Sequence, residues 1–76
     1  MEYQEIRETM YKRIRTLRRQ AHYTQLQMAE RLKISRRTYA NYERGIHAMP
    51  VEVLVVMADI FGTSLDDLAG RTVREH

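Results

Sequence analysis

The sequence contains no cysteine and no tryptophan, and only one proline and three glycines among 76 residues. The lack of cysteine excludes a disulfide-stabilised scaffold and a zinc site with thiolate ligands. No apolar run approaches the roughly 20 residues that span a bilayer, and the opening MEYQEIRETM lacks the apolar segment of a secretory signal. We therefore expect a single domain of a cytoplasmic protein with no membrane association.

The net charge of the whole chain is only +3, but the basic and acidic residues are unevenly distributed along it. Residues 10–45 contain ten basic and two acidic side chains, which gives +8, whereas the other 40 residues carry −5. A concentrated basic segment attracts phosphate and is a first indication of nucleic-acid binding. The alternative is a solvated surface with scattered arginines.

The first helix is predicted by an apolar stripe with spacings of three and four residues. It runs from about Glu2 to Gln20 and is formed by Ile6, Met10, Ile14, Leu17 and Ala21. The second helix is predicted over Gln25–Leu32, because Thr24 is a good N-cap and Gln27 completes a capping box. Tyr23 and Met28 are placed to form a hydrophobic staple across this start. The core side of the second helix is predicted to be Leu26, Ala29 and Leu32.

Three further helices follow. Ser35 predicts the N-cap of a helix over residues 36–44, and Gly45 fits the left-handed residue that ends it. Pro50 fits the first turn of a fourth helix that runs to about Phe61 and stops at Gly62. Residues 64–67 predict the start of a fifth helix of barely two turns. No segment has the alternation of a strand, so the expected fold is all-α with five helices.

Arg36 and Arg37 occupy the first two positions of the third helix, where the helix dipole disfavours cations by about 0.3–1 kcal/mol each. A nearby phosphate or guanine edge would reverse that penalty. The bland alternative is that both long side chains simply swing away. An eight-residue helix, a three-residue turn and a helix with a basic start form a helix-turn-helix, whose second helix enters the major groove of DNA.

The segments TQLQMAERLKISRRTYANYERG and IHAMPVEVLVVMADIFGTSLDDLAGR resemble the phage-repressor and Cro-like helix-turn-helix family, also called XRE-type transcriptional regulators. The resemblance covers Arg15 to Leu68. It implies a compact five-helix, lambda-repressor-like DNA-binding domain over residues 10–70, with the helix-turn-helix at helices 2 and 3. Residues 1–9 are then an N-terminal extension that continues helix 1, and residues 71–76 are a C-terminal tail.

The resemblance implies roles for individual residues. Base contacts are expected from Gln25, Arg36, Arg37 and Asn41, since arginine can fork onto guanine and asparagine onto adenine. Phosphate contacts are expected from Thr24 (through its backbone N–H), Lys33, Ser35 and Arg44, although Ser35 could serve only as a cap. Arg18 and Glu43 are expected to form a structural ion pair between helix 1 and helix 3.

The sequence departs from the family pattern at two places. Lys33 stands where relatives usually carry glycine, so either Lys33 adopts the left-handed conformation or the turn shifts. Val56 stands where a polar residue is usual, and with Val53 and Ile60 it forms a second apolar stripe. Such a stripe predicts a dimer surface. The alternative is that residues 1–9 fold over it.

Other conspicuous residues have structural explanations. Tyr39 and Tyr42 resemble base-stacking aromatics but occupy core positions, with hydroxyls still able to reach the surface or a phosphate. The three histidines are far apart and show no metal-ligand spacing, and Asp66 and Asp67 fit helix capping better than a catalytic pair. We predict no enzyme, cofactor, metal or small-molecule substrate.

The predicted partners are double-stranded DNA and a second copy of the chain. The predicted function is a sequence-specific regulator, a repressor that acts as a homodimer on a palindromic operator. The alternative is a protein-interaction module or antitoxin-type adaptor that uses the same fold.

Overall fold

A computed structural model describes residues 2–70 as five helices without a strand. They are α1 (Tyr3–Gln20), α2 (Gln25–Leu32), α3 (Arg36–Glu43), α4 (Val51–Phe61) and α5 (Leu65–Leu68). The predicted all-α, five-helix fold is therefore confirmed. The predicted C-terminal tail, residues 71–76, lies outside the described residues.

The helix starts are fixed by the side chains that the sequence indicates. The Thr24 hydroxyl accepts a hydrogen bond from the Gln27 N–H at 3.1 Å, and the Gln27 side chain completes the capping box. Ser35 and Ser64 accept in the same way from the backbone three residues later, each at 3.0 Å. Each hydroxyl satisfies a backbone N–H that has no partner inside its own helix.

The five largest fully buried side chains come one from each helix: Ile14, Met28, Tyr39, Met57 and Leu68. Met49, in the loop before α4, is also buried, and its N–H donates to the Tyr11 hydroxyl of α1 at 2.7 Å. A chain this small has room for only one such core, so all five helices depend on the same cluster.

Several sequence predictions of detail are wrong. Leu26 is 50% exposed instead of buried. The core side of α2 is set by Met28, and Leu26 lies about 200° around the helix from it. Pro50, expected in the first turn of α4, is its N-cap and lies just before that turn. The fifth helix, predicted at barely two turns, is a single turn of four residues, and α3 ends at Glu43, one residue before the predicted end.

The middle of α1 is held against α5 by one ion pair. Arg13 donates to the Asp67 carboxylate at 3.0 Å and to the Asp67 carbonyl oxygen at 2.9 Å. Ser64 supplies the cap of α5, so Asp67 forms this link and does not have the predicted capping role. Thr63 supports the link with a hydrogen bond to the same carboxylate.

Residues 3–9 form the first turns of α1. Over residues 2–70, no helix is both long and apolar enough to cross a membrane.

Candidate nucleic-acid interface

Helices α2 and α3 pack on one another across the turn formed by residues 33–35. Lys33 adopts the left-handed conformation, with φ 58° and ψ 41°. The turn closes through two hydrogen bonds, from the Lys33 N–H to the Glu30 carbonyl and from the Ile34 N–H to the Ala29 carbonyl. These bonds satisfy the last carbonyls of α2, which offsets the strain of a non-glycine residue in this conformation. Of the two expected outcomes at this turn, the left-handed conformation of Lys33 is the one that occurs.

The start of α3 presents two exposed arginines, Arg36 and Arg37. Asn41 lies further along the same helix and is half-buried. The Ser35 hydroxyl donates to the Thr38 hydroxyl at 2.8 Å and accepts from the Thr38 N–H at 3.0 Å. Ser35 thus acts as the cap, with its hydroxyl proton used inside the helix.

A buried ion pair fixes the other end of α3. Arg18 of α1 donates to Glu43 twice, at 2.6 Å from Nε and at 3.2 Å from Nη2. Both residues are buried, with Arg18 at 8% and Glu43 at 2% exposure. The pair that the resemblance implies is in contact, and it ties α1 to the candidate recognition helix.

Two more side chains complete this network around Glu43. Tyr39 donates its hydroxyl proton to Glu43 Oε2 at 2.5 Å, and Gln25 donates from Nε2 to Oε1 at 3.2 Å. Tyr39 is a core residue, as predicted, but the prediction that its hydroxyl could reach the surface is wrong, because the hydroxyl is held by Glu43. Gln25, expected at a base, is held at one amide N–H by the same carboxylate.

The network shifts the pKa values of its members. Burial opposes the charge on Glu43, but the hydrogen bonds from Arg18, Tyr39 and Gln25 outweigh it and lower the pKa of Glu43. Burial, with help from the adjacent Glu43 carboxylate, raises the pKa of Tyr39. Arg18 is therefore charged, Glu43 ionised and Tyr39 neutral at physiological pH, which is the state in which every donor has its acceptor.

Two basic residues near the interface were missed by sequence reasoning. Arg15 donates to the Glu43 carbonyl oxygen at 2.9 Å and so satisfies the C-terminal end of α3. Arg31 lies over the Tyr23 ring, 5.0 Å from its centroid, in a cation–π contact. Arg15 and Glu43 are 28 residues apart in sequence, so no local pattern reveals their contact.

The four expected phosphate contacts all lie at exposed positions: Thr24, Lys33, Ser35 and Arg44. The expectation for Thr24 needs correction. Its backbone N–H donates to Gln27 Oε1 at 2.9 Å and is already used by the capping box. The hydroxyl of Thr24 still carries a proton to donate.

The second apolar stripe of α4 is only partly exposed. Val53 and Ile60 are half-buried and pack against the core of the same chain. Val56 is 41% exposed, and Val55 and Val51 are exposed beside it at 44% and 61%. Residues 3–9 leave Val56 uncovered, so the exposed apolar surface is Val51, Val55 and Val56.

Comparison with known proteins agrees with the geometry. A family described as helix-turn-helix matches residues 14–68. The chain is 37% identical over 59 residues to the HTH-type transcriptional regulator AnsR of Bacillus subtilis, which covers 78% of this chain and 51% of AnsR. It is 33% identical over 60 residues to the regulator ImmR of the same organism, covering 79% of this chain and 47% of ImmR.

A third relative is the cryptic phage CTXphi transcriptional repressor RstR of Vibrio cholerae, 39% identical over 59 residues, with 78% of this chain and 53% of RstR covered. The chain thus spans about half the length of the curated relatives it matches. No solved structure gives a significant match. All three relatives are named as transcriptional regulators or a repressor, which is the class predicted in place of an enzyme. The chain belongs to the XRE-type helix-turn-helix family of DNA-binding transcriptional regulators.

Proposed function

We propose that the protein is a sequence-specific repressor that inserts α3 into the major groove of its operator. The observation that carries this proposal is the pair Arg36 and Arg37, exposed at the start of a helix whose other end is locked by Glu43. Cations at a helix start are unfavourable unless an anion or an acceptor edge compensates them. A rigid helix with an unfavourable, exposed basic start is suited to reading bases.

In this proposal Arg36 and Arg37 fork onto guanine O6 and N7, and Asn41 contacts a base further along α3. Gln25 keeps one amide N–H on Glu43 and offers its second N–H and its carbonyl oxygen to the DNA. The Glu43 network therefore serves to orient Gln25 as well as to anchor α3.

Phosphates are contacted around this helix. Lys33 and Arg44 contribute charge and Thr24 contributes its hydroxyl. The N–H groups at the starts of α2 and α3 face the phosphate backbone of the DNA. Ser35 contributes only by capping α3. Its hydroxyl does not donate to a phosphate, because its proton is held by Thr38.

A homodimer on a palindromic operator is the proposed assembly. Val56 is exposed on α4 together with Val51 and Val55, and the half-buried Val53 and Ile60 lie on the same helix. Dimers of this kind read half-sites about 34–36 Å apart on one face of DNA.

Selection of bound duplexes from a random pool tests the proposal. We expect enrichment of a palindrome with half-sites about 10–10.5 base pairs apart, bound with strong salt dependence. Binding without enrichment, or no salt-dependent binding at all, would overturn it.

A protein-interaction module is the second candidate, because the exposed valines of α4 suit an apolar partner as well as a second copy. Sedimentation of the isolated chain separates the two functions of this surface. A monomer that also fails the duplex selection would favour the interaction module.

A further inference from the structure

A second basic surface adjoins the end of the helix-turn-helix. It is a groove of about 590 Å³ between residues 3–15 of α1 and the C-terminal end of α3. Four basic residues line it: Arg7, Lys12, Arg15 and Arg44. Two acidic residues, Glu8 and Glu43, also line it, but the charge of Glu43 is compensated by Arg18. The groove is therefore positive overall.

The groove depends on residues that the family match does not include. The side chains of Tyr3, Arg7, Tyr11 and Arg15 are four residues apart and share one face of α1. The match begins at residue 14, so the first three of these precede it. Tyr11 is buried with its hydroxyl bound by the Met49 N–H, whereas Tyr3 is 90% exposed at the rim. The extension of α1 thus adds a basic wall with an exposed phenol to the domain.

The C-terminal end of a helix would ordinarily repel an anion. Here Arg15 donates to the Glu43 carbonyl, which is one of the last carbonyls of α3, and Arg18 holds the Glu43 carboxylate. Both negative features are compensated before any ligand arrives. By contrast, another groove beside α1, between Met10, Val51 and Leu65, is mainly apolar and includes Asp66.

We infer that this groove binds a backbone phosphate of the DNA, next to the bases that α3 reads. The inference rests on the proposed placement of α3. Eight residues separate Arg36 from Arg44, or about 12 Å along the helix axis, so the two side chains reach the DNA at separate places. Arg44 then contacts the phosphates at the edge of the DNA major groove, and Arg15 and Arg7 continue the same basic surface along α1.

The test compares Arg7→Gln with Arg13→Gln. Both changes remove one positive charge from α1, but Arg13 faces α5 and pairs with Asp67. Binding of each folded variant to the selected operator and to a random duplex of about 30 base pairs is measured between 50 and 200 mM salt. Thermal unfolding of both variants confirms that the measurements are made on folded protein.

For Arg7→Gln, we expect the slope of log K against log salt to fall by about 0.9, equally on both duplexes. Between 50 and 200 mM salt, the loss of affinity by this variant is then about threefold smaller than the loss by the parent chain. Arg13→Gln should leave the slope unchanged. Equal slopes for both variants, lowered or not, would overturn the inference. Loss of salt-dependent binding by the parent chain would instead overturn the proposed function.

Discussion

The buried network around Glu43 should determine the stability of the domain, and Glu43→Gln tests this directly. The change keeps the size of the side chain and removes its charge. Arg18, only 8% exposed, then remains charged in the core without its counter-charge. Removing one partner of a buried pair costs about 3–5 kcal/mol. A domain of this size has about 4–11 kcal/mol in total, at 0.05–0.15 kcal/mol per residue.

The expected outcome is a large loss measured by urea unfolding followed by circular dichroism at 222 nm. In a domain of this length, each kcal/mol lowers the melting temperature by about 4–8 °C, so a loss of tens of degrees should be seen. The chain offers a matched control in Asp67→Asn. Its partner pair is half-exposed, with side-chain exposures of 39% and 47%, and exposed pairs contribute little.

Glu43→Gln and Asp67→Asn should therefore differ sharply although both neutralise a carboxylate in an ion pair with arginine. Similar melting temperatures for the two variants would refute the argument that burial gives the Glu43 network its weight.

Three further outcomes are expected. Lys33→Gly should raise the free energy of unfolding by about 1 kcal/mol in the same urea assay, because glycine adopts the left-handed conformation of Lys33 without strain; a destabilised variant would show that the lysine side chain contributes more than its strain removes. The contribution of ionised Glu43 to the free energy of unfolding should be complete above pH 4.5, the ordinary pKa of glutamate, and be lost as the pH falls through the lowered pKa of folded Glu43. If Glu43→Gln left the dependence of stability on acid pH unchanged, this would be contradicted. Val56→Asp should convert a dimer to a monomer in sedimentation velocity with little change in melting temperature, whereas Leu26→Asp, at an exposed position on α2, should not; dissociation by both changes or by neither would place the dimer contact elsewhere.

Local signals in the sequence were sufficient for most helix boundaries. The capping box at Thr24 and the caps at Ser35 and Ser64 act within three residues of chain, so the residues that form them can be recognised without knowledge of the fold. Gly45 and Gly62 mark helix ends for the same reason, since both adopt a positive φ. The three caps fixed the starts of α2, α3 and α5.

Predictions that depended on tertiary packing were less successful. Leu26 has the hydrophobicity of a core residue. The side of α2 that carries Met28 packs against the rest of the protein, and this leaves Leu26 exposed. The contacts of Arg15 and Gln25 with Glu43 span 28 and 18 residues, and nothing near either side chain in sequence indicates them. The Arg18–Glu43 contact spans 25 residues, and it was expected only through the resemblance to the family.

The central claim is that α3 reads sequence through Arg36 and Arg37. The most direct measurement is the ratio of affinities for the selected operator and a random duplex, compared between the parent chain and Arg36→Ala or Arg37→Ala. A bidentate contact to guanine contributes about 1–3 kcal/mol, so the ratio should fall by about 5- to 150-fold. An equal loss of affinity on both duplexes would show that the arginines contact phosphates only and would contradict the account.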